Sequence, residues 1–82
     1  MTITAALTHE QGQDFVILLV KDRVISDPDG RQDMLDFAAQ NFGVRAALMG
    51  ERQNTTYGPP DIVRWLDNVY FEQLPWREYS FN

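Results

Sequence analysis

The chain has 82 residues, no cysteine, a single histidine and a single lysine, with twelve carboxylates against seven basic side chains and a net charge of −5. That inventory excludes thiol and disulfide chemistry and clustered Cys/His metal sites, and it leaves room for one domain spanning 1–82. The charge falls as −4 over 1–43, +1 over 44–58 and −2 over 59–82, without the clustered Lys and Arg that displaces counterions from nucleic acid.

Residues 2–8 read Thr-Ile-Thr-Ala-Ala-Leu-Thr, a β-branched alternating stretch that predicts a strand. Polar residues 9–14, with Gly12, predict a turn and place His9 at an exposed hairpin end. The unbroken apolar run Phe15-Val16-Ile17-Leu18-Leu19-Val20 then predicts an interior strand covered on both faces, too short for a helix. Pairing of 2–8 with 15–20 as a hairpin follows.

Ser26-Asp27-Pro28-Asp29-Gly30 carries helix-start chemistry, with carboxylates able to accept from free N–H groups and Pro28 suited to a first turn. Asp29 as cap would place Gln32 in capping-box position. Met34, Leu35, Phe37, Ala38 and Phe42 fall mostly on one face of a helix over 31–42, and Gly43 supplies a left-handed end. A second interior strand is expected at 44–49, forming a strand–helix–strand unit with 15–20. The polar segment 50–60 precedes a second helix over 61–69, with apolar Ile62, Val63, Leu66 and Val69. Leu74-Pro75 stops it, and 76–81 reads as a last strand with Trp76 and Glu78 on one side and Arg77, Tyr79 and Phe81 on the other. The expected architecture is α+β, approaching α/β. It has a small mixed sheet of about four strands with two helices, in the order β-β-α-β-α-β, and the helices lie mainly on one face.

Three constellations with residue types suited to chemistry are better explained structurally. His9 has no orienting partner evident in the sequence. Asp27, Asp29 and Gly30 resemble part of a calcium loop, yet Ala38 stands where the closing carboxylate belongs. The 50–60 segment, with Arg52 beside a helix start, lacks the glycine spacing and Lys-Ser/Thr ending of a phosphate loop, and Pro59 and Pro60 remove donors. No catalytic residue, metal site or cofactor is therefore assigned.

The functional signal is aromatic. Of ten aromatic residues, six (Trp65, Tyr70, Phe71, Trp76, Tyr79 and Phe81) lie in the last eighteen positions, and Arg64 and Arg77 each adjoin a tryptophan. Trp, Tyr and Arg dominate interface energetics because they bury area while keeping a polar handle. The expected partner-binding residues are Tyr57, Arg64, Trp65, Trp76, Arg77 and Tyr79, in a non-enzymatic module that binds a protein partner or a second copy of itself. The competing structural role for these rings is a second apolar cluster sealing the sheet. An acidic inhibitor of a nucleic-acid-binding enzyme is the second reading. It requires Asp22, Asp27, Asp29, Asp33 and Asp36 on one open surface. A small enzyme or anion-binding protein is the third, and it requires a pocket joining Tyr57, Arg64 or His9 to a carboxylate of perturbed pKa. With no basic apolar leader and no apolar run longer than 15–20, a cytoplasmic location without membrane or nucleic-acid contact is expected.

Overall fold

Apolar side chains on both sides of one central strand organise the structure, a computed structural model that describes residues 1–10 and 12–81. Strands β1 (Thr2–Glu10) and β2 (Gln13–Val20) form the expected antiparallel hairpin, with Glu10 opposite Gln13. Gly12 takes φ 76° in the connection, a conformation that costs glycine no Cβ clash. A single helical turn α1 (Asp22–Ile25) and the long helix α2 (Pro28–Phe42) lead to β3 (Arg45–Gly50), which pairs parallel to β2. A two-residue strand β4 (Thr56–Tyr57), helix α3 (Pro60–Leu66), a 3-10 turn (Phe71–Gln73) and β5 (Trp76–Ser80) complete the chain. The five strands lie in the order β4-β3-β2-β1-β5, and every pairing except β2 with β3 is antiparallel.

The mixed α+β class and the order of the main elements agree with the sequence reading, with β4 as the added strand. The helices do not share a face. Val16, Leu18 and Val20 project with Ala5, Ala46 and Leu48 towards Ile25 and Ala38, whereas Phe15 and Ile17 project with Ala6, Ala47 and Met49 towards Ile62, Leu66 and Leu74. Thus α2 covers one face and α3 the other, because period-two alternation within an uninterrupted apolar run sends large side chains both ways. Ile17, Leu18, Leu48 and Val16 are the largest fully buried side chains.

Helix boundaries differ from the expected ones for local reasons. Asp27, rather than Asp29, is the N-cap of α2; its carboxylate accepts from the Asp29 N–H at 3.2 Å, which puts Pro28 at the first helical position, where its missing donor costs nothing. Gly43, at φ 69°, ends the helix as expected, its N–H bonding to the Ala39 carbonyl. Helix α3 stops at Leu66 because Asn68 and Val69 donate to Trp65 and Leu66, tightening the chain into three-residue turns. No helix among the described residues is long and apolar enough to cross a membrane.

Candidate interaction groove

The tip of the β1–β2 hairpin and α3 define a groove. One cleft of about 370 Å³ is walled by Glu10, Gln13, Phe15, Arg64, Trp65 and Asn68, and a second of about 450 Å³ runs on past Trp65 towards Leu74 and Pro75. Glu10 and Trp65 belong to both, so the indole stands at their junction. Its orientation is fixed from below by an edge-to-face contact with Phe15, with ring centroids 5.2 Å apart and planes at 81°. Such a contact holds the ring without closing its outer surface.

The α3 end of the groove is held by an ion pair. Arg45, at the start of β3, donates from Nη2 to Asp61 Oδ1 at 2.7 Å and from Nη1 to Asp61 Oδ2 at 2.9 Å, while Nη1 also reaches Gln13 Oε1 at 2.6 Å. This fork ties β2, β3 and α3 together. Hydrogen bonding from Arg45 holds the Asp61 carboxyl at about 2, with coulombic attraction adding to it and desolvation opposing; Arg45 is raised by the same hydrogen bonds. A carboxylate so fixed stays ionised near neutrality and serves as an anchor, not a proton carrier. Because its folded value lies below the ordinary 3.8, the stability Asp61 contributes is complete above about pH 4 and is lost as pH falls towards 2. Comparing thermal unfolding of the wild type and Asp61→Asn over that window is expected to show their difference shrinking with acidification. A difference independent of pH would reject the coupling.

The six expected binding residues are distributed over both faces. Trp65 and Trp76 pack against the α3-face core, and Trp76 stacks on Phe71 at 5.0 Å while its Nε1 donates to the Phe71 carbonyl at 2.9 Å. Tyr79 packs on the α2 face, edge-on to Phe42 at 5.2 Å, and Phe81 joins it against Phe37 and Phe42. Tyr57 lies half-buried on that face beneath the Arg31 guanidinium, 4.2 Å from its ring centre. Arg64 and Arg77 are exposed, and among the six only Arg64 and Trp65 line the first cleft. Tyr70, outside that set, is 76 % exposed and is the one aromatic ring of the C-terminal region that is mostly exposed among the described residues, the others being half-buried.

His9 stands opposite Asp14 across the hairpin, with Nδ1 2.6 Å from the carboxylate and both side chains about two-thirds exposed. The 50–60 segment has its own anion: Asp22 Oδ1 accepts from the backbone N–H groups of Arg52 and Gln53 at 3.4 and 3.3 Å. Donors that an external phosphate would use are thus engaged by the chain itself. Asp27, Asp29, Asp33 and Asp36 lie exposed along α2, although Asp27 caps the helix and Asp36 accepts from Gln32 at 2.9 Å.

Sequence reasoning missed Glu10, Gln13 and Phe15 as walls of the groove and Arg45 as the clamp on Asp61 beside it. One sign was legible: Arg45 is the only charge within the apolar stretch 44–49, and a lone cation at the end of an interior strand calls for a carboxylate partner. Compared with models of protein families, with curated proteins and with solved structures, the chain gives no match.

Proposed function

We propose that this protein is a non-enzymatic interaction module that binds a protein partner through its C-terminal aromatic and arginine side chains, centred on the groove at Trp65. The observation that carries the proposal is the placement of that indole, which is shared by two adjoining clefts, braced on Phe15 and flanked by the exposed Arg64. A ring already immobilised loses little freedom on binding, and an adjacent guanidinium adds a directional polar contact. The clefts fall within the volume range of small binding sites. Glu10, exposed and without an ion-pair partner among the described residues, offers a carboxylate across from Arg64. The groove thereby suits a partner segment with an apolar side chain between charges of opposite sign. A reducing, cytoplasmic setting suits the cysteine-free sequence.

A second reading, the acidic inhibitor, is favoured by one feature: Asp29, Asp33 and Asp36 follow one another at helical spacing along the solvent side of α2, with no cation paired to them among the described residues. One experiment separates the two. With the partner captured from the native host and then purified, Trp65→Ala is expected to weaken binding at least about tenfold, as loss of a central aromatic contact does, with weak dependence on salt. Binding indifferent to Trp65 and lost steeply with added salt would instead support carboxylate mimicry.

A further inference from the structure

The sheet ends at β5, and the hydrogen bonds of its last residues reveal which backbone groups are left over. Met1 and Phe81 exchange both bonds, the Phe81 N–H reaching the Met1 carbonyl at 2.8 Å and the Met1 amino group reaching the Phe81 carbonyl at 2.8 Å. In an antiparallel ladder such exchange recurs at alternate residues. Tyr79 and Arg77, opposite Ile3 and Ala5, therefore also face β1, while Glu78 and Ser80 direct their N–H and C=O groups away from it. No strand among the described residues lies beyond β5.

We infer that this edge pairs with the same edge of a second copy, β5 against β5 about a two-fold axis at Tyr79. In that register Glu78 and Ser80 of one copy exchange backbone hydrogen bonds with Ser80 and Glu78 of the other. The side chains are complementary on both faces. On the α3 side each Glu78 carboxylate meets a Ser80 hydroxyl. On the α2 side each Arg77 lies opposite a Phe81 ring and the two Tyr79 rings meet, extending the half-buried cluster of Phe37, Phe42, Tyr79 and Phe81 across the axis. Registers centred further towards the start of β5 fail on charge: centring on Glu78 opposes two carboxylates, and centring on Arg77 opposes two guanidiniums. A second copy supplies this complement by symmetry. It uses neither Trp65 nor the groove, so the two proposals stand or fall separately.

Size-exclusion chromatography with light scattering on the full chain is expected to give twice the 9.5 kDa chain mass, and Trp65→Ala is expected to leave that mass unchanged. Ser80→Pro removes an outward N–H and spares the bonds to β1, so it is expected to yield a folded monomer. Ser80→Glu sets carboxylate against carboxylate and is expected to weaken dimerisation roughly tenfold, with recovery when Glu78→Lys is added. Amide exchange at Glu78 and Ser80 is expected to be slow in the dimer and fast in the monomer. A wild type monomeric across a dilution series overturns the inference, as does a dimer indifferent to both Ser80 substitutions or one in which the Glu78 and Ser80 amides exchange freely.

Discussion

Leu18→Ala is expected to destabilise the protein by about 3 kcal/mol, within the range for truncating a buried leucine. Leu18 is fully buried at the middle of β2, opposite Ala5 on one side and Leu48 on the other, and it belongs to the core beneath α2. Its neighbours have little capacity to collapse into the space left behind. Ala5 and Ala46 are already small, and β2 is held by strands on both sides. For a chain of this length total stability is expected at about 4–12 kcal/mol, so this one change removes a large share of it. Chemical unfolding monitored by circular dichroism measures the loss directly. A cost below about 1 kcal/mol would mean that the α2-face core is not packed as described.

Gly58→Ala is expected to be nearly as damaging, for the opposite reason. A Cβ at residue 58 would stand 2.8 Å from the Ala47 Cβ, 3.0 Å from its Cα and 3.3 Å from the Ala46 carbonyl oxygen. Two of those three atoms are backbone of β3, which β2 and β4 hold from either side, so no flexible side-chain end can swing clear. Overpacking of this kind costs about 1–3 kcal/mol. Adding Ala47→Gly is expected to restore only part of the loss, since it removes the methyl group that stands nearest and leaves the β3 backbone in place. Equal stability of Gly58→Ala and the wild type would show that the crossing of residue 58 over β3 is looser than these distances imply.

Much of the fold was legible because its signals are local. The run from Phe15 to Val20, the capping residues before α2 and Gly43 after it each specify backbone geometry within a few positions. Where α3 packs was not local. Its apolar residues Ile62 and Leu66 fit either side of the sheet equally well, and only the closed structure assigns them, with Val69 just beyond the helix, to the face that Phe15 and Ile17 present. The same run implies two covered faces, which argues against placing both helices together. The groove was hidden for a related reason. Glu10 and Gln13 join Asp61, Arg64 and Trp65 across about fifty residues of sequence, and no periodicity reports such a meeting. The aromatic excess near the carboxyl end was visible from composition, whereas its division between two faces depends on the pleat of β5 and the position of α3.

The carboxylate of Asp22 bears on where this protein does its work. Open sheets with parallel strands commonly receive ligands beyond the carboxyl ends of those strands, which here means the region past Val20 and Gly50. That position is plugged from within: Asp22 fills the space where a side chain on residue 50 would stand, and it occupies the amides of Arg52 and Gln53. The vestibule that other open sheets keep for guests is furnished by the host, and the groove proposed above for recognition lies at the opposite pole, where the hairpin tip meets α3.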